Sequence, residues 1–396
     1  MRWLRIIPTM NPAMGGPSQG IRNSIPELEK HGIYNEVVCF DHEKAEYLKD
    51  DQFPVHALGP STGPWAYCKK LKPWLLDNFD RFDVIIVHGL WLYHSYATIN
   101  AFLQYKRNKS DRIPSFYVMP HGMLDPYFQK AKGRKIKAIR NWLYWQWTEK
   151  KLIHEADGIL FTSEEELLLA RNAFRPYRPQ RELNISYGIT PPPEYTSQMK
   201  QAFLQVCKRE KMPPYLIFLG RIHPKKGVDL LVKAYIQLKE EDQPLPSLVI
   251  AGPGSDTEYG AALKTLAGST ENIIFPGMIT GDAKWGAFYG AEAFILPSHQ
   301  ENFGIAVSEA LACGQPVLIT DKINIWREID GLDAGIVEPD TFQGVLDMLK
   351  KWLLLSIRQK EEMRRNALST FDKYFSIEDA ARKMAITIST VGQKNK

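Results

Sequence analysis

The sequence predicts an α/β chain of two doubly wound, Rossmann-like parallel-sheet domains facing each other across a cleft. Three observations carry this. Apolar runs of strand length alternate with helix-length segments along the whole chain, the pattern of parallel strands covered by crossover helices. The 396 residues exceed the ~250–300 that one core usually supports. The run ITPPPEY, residues 189–195, sets three prolines in a row midway, which stops sheet and helix alike before the strand pattern restarts.

In the first half the strands fall near RWLRIIP, NEVVCF, PVHAL, DVIIVHG, PSFYVMPHG, GILFT and LNISYG. In the second they fall near YLIFLG, SLVIAG, IIFPG, AFILPS, PVLIT and AGIVE, so each half has enough strands for its own sheet. The expected boundaries are 1–192 for the first domain, 193–375 for the second and 376–396 for a final helix, with Ser376 as N-cap and Asp379 three residues on. No fixed short-period repeat or low-complexity tract interrupts this plan.

Composition is that of an ordinary globular protein, which excludes disordered and fibrous classes. The N-terminal apolar run is cut by Pro8 and Asn11, too short for a secretory signal, and no later run approaches the ~18 apolar residues of a membrane span, so a cytoplasmic protein is expected. Cys39, Cys68, Cys207 and Cys313 lie far apart with no C-x-x-C pair. Reduced thiols are expected, at least two in the core, with neither a zinc site nor a disulfide framework. The net charge of +5 is mild, and no nucleic-acid partner is expected. The charge is unevenly placed, since residues 129–151 gather Lys and Arg beside three tryptophans.

Ligands of such sheets bind beyond the carboxyl ends of strands, where Gly-rich turns admit them to helix N-termini. After the first strand, Gly15 and Gly16 precede Pro17, with Ser18 free to donate; amides there suit a phosphate or sugar oxygen, and a plain tight turn is the alternative. The spacing is not G-x-G-x-x-G, although Asp41 stands where a dinucleotide fingerprint wants an acid. His88 and His121 end the fourth and fifth strands, each before a glycine that lets the backbone bend away and leaves the imidazole facing the cleft. A satisfied structural histidine is the alternative for either.

In the second half, Arg221, Lys225 and Lys226 lie between a strand and a helix opened by Gly227, a placement that fits an anion of more than one charge, such as a diphosphate. Gly252 and Gly254 let a flat ring approach the backbone, and Gly277–Met278 offers N–H and C=O to the edge of a base. In HQENFGIAVSEALACGQPV, Asn302, Phe303 and Gly304 form the turn before a helix that carries Glu309 just over a turn inside. A carboxylate accepts two hydrogen bonds in one plane and so suits vicinal hydroxyls. Glu301 also reads as a helix-dipole acid, whereas Glu309, among Val307, Ala310 and Leu311, is too costly to leave unpaired.

Arg221 and Lys226 followed by Glu301 and Glu309 as E-x7-E resemble the donor site of retaining nucleotide-sugar glycosyltransferases of family 4, which have the GT-B fold. The likeness spans nearly the whole chain, with MGGPS, PHGMLDP, GRIHPKKG and the E-x7-E segment in that family's order; PHGML belongs to a subset resembling bacterial envelope and exopolysaccharide transferases. The resemblance implies that Arg221 and Lys226 neutralise a diphosphate, with help from amides near Phe303, Gly304 and Gly16. It further implies Glu309 on the ribose, Glu301 on the transferred sugar, His121 beside the reacting face and the Met278 backbone on a uracil. Asn302, where the family often has glycine, is a departure that bears on sugar preference. A final helix crossing back to the first domain also follows.

No D-x-D triplet is present, so a metal-independent reaction without a cofactor is expected, with the two cations in the place of a divalent ion. Front-face attack assisted by the leaving phosphate, and domain closure that excludes water, are implied by the family. The expected donor is a UDP-sugar, UDP-glucose first, and the expected acceptor a saccharide or lipid-linked saccharide. A NAD-dependent oxidoreductase is the rival on Rossmann domains, a same-fold epimerase or hydrolase is a closer one, and a sugar-binding scaffold would need broken site residues. Residues 126–151 suit an anionic inner-membrane surface; the alternative is an ordinary helix whose buried stripe is Ile139, Trp142, Leu143 and Trp147.

Overall fold

The structure is a computed structural model that describes residues 1–108, 112–130, 135–268 and 270–393. Two compact units form, one from Met1–Gly188 together with the chain from Ile377 onward, the other from Ile189–Ser376. In the first unit the strands are β1 (Arg2–Ile6), β2 (Tyr34–Cys39), β3 (Val55–Ala57), β4 (Val84–His88), β5 (Ser115–Met119), β6 (Gly158–Phe161) and β7 (Glu182–Asn184). They pair in parallel in the order β3-β2-β1-β4-β5-β6-β7.

Alternate side chains of these strands divide between two cores, as the period of two requires. Leu4, Ile6, Ile85, Val87, Phe116 and Val118 enter one core. Trp3, Val84, Ile86, Tyr117 and Met119 enter the other. Burial on both faces is why the strands read as unbroken apolar runs. The helix Ile377–Gln393 lays Ala381, Met384, Ala385 and Ile388 on the second core, beside Leu28 of the helix Gly16–Lys30. LNISYG contributes only its first residues to β7, because Ser186 turns left-handed (φ 62°) and ends the strand.

The second unit has β8 (Tyr215–Leu219), β9 (Ser247–Ala251), β10 (Ile273–Gly277), β11 (Ala293–Leu296), β12 (Val317–Thr320) and β13 (Gly335–Glu338). Their order is β10-β9-β8-β11-β12-β13, again all parallel. In each sheet the order reverses once, between β1 and β4 and between β8 and β11, and such a switch opens a crevice at the strands' carboxyl ends. Cys39, Cys68, Cys207 and Cys313 are all buried free thiols. Among the described residues no helix is long and apolar enough to cross a membrane.

The helix Lys135–Tyr144 and the π-helical turn Trp145–Glu149 overturn the buried-stripe reading. Ile139, Trp142, Leu143 and Trp147 are exposed, Trp147 by 78%, and Ile136 joins them at 85%. The inward residues are Asn141, Trp145, Thr148 and Glu149. The segment's residues 131–134 lie outside the described residues.

Ile388 is fully buried in the core beneath the last helix. Ile388→Ala should therefore destabilise the first unit by ~2–4 kcal/mol, read as a lower urea midpoint. An unchanged midpoint would show that this helix does not help hold the unit together.

Candidate active site

In the second unit the chain leaves β8 through Arg221, makes a 3-10 turn at Pro224–Lys226 and enters the helix Val228–Glu240. The His223 ring accepts from the Lys225 amide (3.1 Å) and caps the turn. Gly227 is obligatory, because its φ is +63° and a Cβ would meet the Pro297 carbonyl at 2.1 Å. From the other side of the strand switch, Ser298 Oγ (3.1 Å) and the His299 amide (2.9 Å) both donate to the Lys225 carbonyl. That grip sets Lys226 Nζ against the Glu301 carboxylate, an ion pair between half-buried groups.

The Glu301 backbone is pinned by the loop after β12, its amide donating to the Lys322 carbonyl (3.0 Å) and its carbonyl accepting from Asn324 (3.0 Å). Asn302 Oδ1 faces Asn324 Nδ2 at 3.4 Å, and Phe303 turns into the core edge-on to Phe375. Gly304, at φ 73°, opens the helix Ile305–Ala312, whose fifth residue is Glu309. Glu309 is paired as its apolar neighbours demand, accepting from Lys284 Nζ (2.9 Å) of the helix Gly281–Tyr289. Nothing in the sequence pattern singled out Lys284. Arg221 is exposed and forms no ion pair among the described residues.

Two readings change in their physical basis. A Cβ at Gly252 would meet the Gly220 carbonyl at 1.9 Å, and one at Gly254 the Ile222 carbonyl at 2.6 Å. These glycines thus let two strand-end loops approach each other, and that space is filled by backbone rather than open to a ring. The Gly277 carbonyl accepts from the Gly252 amide (2.8 Å), so the backbone outside the ladder is that of Met278, which is exposed.

In the first unit Gly15 (φ 114°) joins the turn Pro12–Met14 to the helix Gly16–Lys30, and its Cβ direction is open. The Gly16 carbonyl accepts from Tyr187 OH (3.0 Å). Ser18 is not free, because its buried hydroxyl donates to the Gly15 carbonyl (3.1 Å). Asp41 accepts from Thr9 Oγ1, the Met10 amide (2.7 Å) and Tyr47 OH (2.8 Å). Its oxygens are committed to the loop after β1, which removes the acid that a dinucleotide site needs.

His88 Nδ1 and His121 Nε2 are hydrogen-bonded at 2.9 Å, with their rings stacked. Both face a cavity of about 140 Å³ at the ends of β1, β4 and β5, lined also by Thr9, Gly15, Ser18 and His94. On β1, Arg5 is 2% exposed and donates from Nε to Asn35 Oδ1 (2.9 Å), with no ion pair among the described residues. Burial, and then the Arg5 charge, lower His121 to about 3. Burial, His121 and Arg5 hold His88 well below the imidazole range, and burial brings His94 to about 4. Burial likewise lowers Arg5 to about 9. The three imidazoles are thus neutral at pH 7 and serve as hydrogen-bonding groups. The lone arginine inside an apolar strand was a legible signal for this cluster; His94 had none.

Residues 199–369 match the family model for glycosyl transferases group 1, and residues 15–188 match the glycosyl transferase 4-like domain. The chain belongs to this glycosyltransferase family. It is 27% identical over 373 residues, 86% of each chain, to an uncharacterised glycosyltransferase of Methanocaldococcus jannaschii. It is also 34% identical to the D-inositol 3-phosphate glycosyltransferase of Jonesia denitrificans, over 34% of each chain. Anabaena HepE, solved with UDP and glucose, superposes with a TM-score of 0.74 at 16% identity, over 98% of this chain and 100% of that one. Sucrose-phosphate synthase of Thermosynechococcus elongatus does so at 0.71 and 18%, over 99% of each. These likenesses establish the GT-B fold for this glycosyltransferase and set aside the oxidoreductase. Among the described residues no three His, Cys, Asp or Glu side chains are grouped to hold a metal ion.

The depressed imidazoles make the fold acid-sensitive. Below ~6.5 the unfolded chain takes up protons that folded His88, His94 and His121 refuse, so each costs up to ~1.4 kcal/mol of stability per pH unit. Buried Glu149, raised from 4.5 to about 7, acts oppositely between those values, as one group against three. The urea midpoint should fall from pH ~7.5 to pH ~5. A midpoint that held or rose would contradict a neutral histidine cluster.

Proposed function

We propose that this glycosyltransferase is a retaining, metal-independent hexosyltransferase, using a UDP-sugar, UDP-glucose first, and a saccharide or lipid-linked saccharide acceptor of the envelope or an exopolysaccharide. The observation that carries this is the meeting of Lys226 with Glu301, and of Lys284 with Glu309, around the start of one helix beside an exposed Arg221. A diphosphate there draws Lys226 from Glu301 and adds Arg221, which frees the Glu301 carboxylate for sugar hydroxyls. Amides at Phe303 and Gly304, and at Gly15 and Gly16, supply further donors. Glu309, oriented by Lys284, takes the ribose hydroxyls; Met278 meets the base through its backbone, and Asn302 borders the sugar.

As the bond from sugar C1 to phosphate breaks, negative charge grows on the leaving diphosphate, and Arg221 and Lys226 stabilise it without a divalent ion. His121, neutral, hydrogen-bonds the reacting sugar. HepE with UDP and glucose supports the donor class. WaaG, a glycosyltransferase involved in lipopolysaccharide biosynthesis that superposes at a TM-score of 0.61, supports the envelope setting. The family match favours transfer over epimerisation or hydrolysis, and product analysis with and without acceptor separates these.

The exposed Ile136, Ile139, Trp142, Leu143 and Trp147, beside Lys135, Lys137 and Arg140, fit an anionic lipid surface on the cytoplasmic face of the inner membrane. Apolar side chains would enter the headgroup boundary while the cations meet lipid phosphates.

Lys226→Ala should lower kcat by ~100-fold or more with the melting temperature nearly unchanged, the scale expected for a lost transition-state charge contact. Near wild-type turnover would refute the diphosphate assignment. In co-sedimentation with phosphatidylglycerol vesicles at low salt, Trp142→Ser with Trp147→Ser should release the protein to the supernatant; equal pelleting of variant and wild type would sink the membrane reading.

A further inference from the structure

We propose that Glu149 and Glu166 are positioning residues that hold the His88–His121 pair, one carboxylate for each histidine's turn. This rests on the reading that places His121 beside the reacting sugar.

The chain leaves β4 and β5 through left-handed backbone: Gly89 has φ 84° and Trp91 72°, and His121 has φ 54° and Gly122 77°. A side chain as large as Trp rarely adopts this region, so its surroundings must enforce it. Each turn ends on a buried carboxylate. Glu149, fully buried in the π-helical turn, accepts the Trp91 amide and Ser95 Oγ at Oε1, both at 2.8 Å. Glu166, buried in the helix Glu164–Ala170, accepts the Gly122 amide at Oε1. Its Oε2 accepts the Thr162 amide (2.8 Å) and Thr162 Oγ1 (2.6 Å), which fixes it to the end of β6.

Amides that point at a carboxylate in a dry interior make charge-assisted bonds, stronger than those to a neutral acceptor. The two anchored turns meet through the 2.9 Å contact of His88 with His121 and through the Leu90 amide on Met123 Sδ (3.1 Å), so relaxing either turn changes the aim of both rings. Glu149 Oε2 is buried without a hydrogen bond. Full burial pushes its carboxyl up to about 7, against the pull of Ser95 and the Trp91 amide. The helix Tyr93–Asn108 packs against this turn, the helices Lys135–Tyr144 and Lys150–Glu155 continue it at either end, and no charged side chain on them sets the ionisation of Glu149. The His88 turn is therefore held by charged bonds above neutrality and by weaker ones below.

The test uses the full chain labelled with 15N-histidine, and Glu149→Gln, Glu166→Gln and His121→Ala. Each glutamine keeps one acceptor oxygen but loses the charge. In NMR spectra the His88 and His121 ring nitrogens should shift in both glutamine variants, while His223, in the other unit, stays fixed. With UDP-glucose as donor and UDP release as readout, kcat should fall at least 10-fold with donor KM unchanged. The wild-type rise of kcat through pH 7 should vanish in Glu149→Gln. If either glutamine variant does not fold, Ser95→Ala and Thr162→Val, which each remove one supporting bond, should give smaller shifts in the same direction. Unmoved ring signals in folded variants would overturn the proposal. Full activity in His121→Ala would instead overturn the role given to His121, with the ring signals still deciding the positioning.

Discussion

Parallel pairing of strands that are not consecutive, β1 with β4 and β8 with β11, is the constraint on which the candidate site of each unit depends. Parallel neighbours cannot be joined by a hairpin, so each crossover sends the next strand to one side or the other of the first. Where the direction reverses, two loops leave the sheet apart from each other and open a crevice. Gly15, Gly16 and His88 belong to the loops that flank the first reversal, and Arg221 to Lys226 and Glu301 to Glu309 to those that flank the second. In the second unit the bond across the reversal is specific: the Lys225 carbonyl, gripped by Ser298 and His299, brings Lys226 to a glutamate 75 residues away.

The two units handle charge in opposite ways. In the second unit each of the two glutamates has its own lysine, and Arg221 stands exposed with no ion pair among the described residues. In the first unit burial, and after it the charge of a buried guanidinium with no carboxylate partner among the described residues, suppresses protonation of the histidines. A neutral imidazole there donates or accepts a hydrogen bond without adding a positive charge.

Strands were legible because burial on both faces writes itself as an unbroken apolar run, and the E-x7-E spacing because a helix start fixes where its carboxylates can stand. Ser18, expected to be free to donate, and the partners of Asp41 were not legible for a different reason. A short polar side chain that bonds to its own loop has no period, and only the folded path of the loop shows which acceptor or donor it meets. The glycines at 252 and 254 were placed correctly at a strand end, but the backbone that required them comes from another loop, which no local pattern displays. Lys284, Glu149 and Glu166 were invisible because each acts through a partner distant in sequence.

The segment after residue 134 shows how far an amphipathic pattern can be trusted. Its spacing fits a helix with one apolar face, but apolar residues need not be the ones that face inward when the inward positions have polar partners to satisfy. Asn141, Thr148 and Glu149 are buried, and Trp145 stays inside while Trp147, two residues on and so on the opposite side of the helix, stands in solvent. The five residues of the π-helical turn therefore carry the exposed Trp147 and the carboxylate that holds the His88 turn, so the surface that fits a lipid and the support of the histidine pair are two faces of one element.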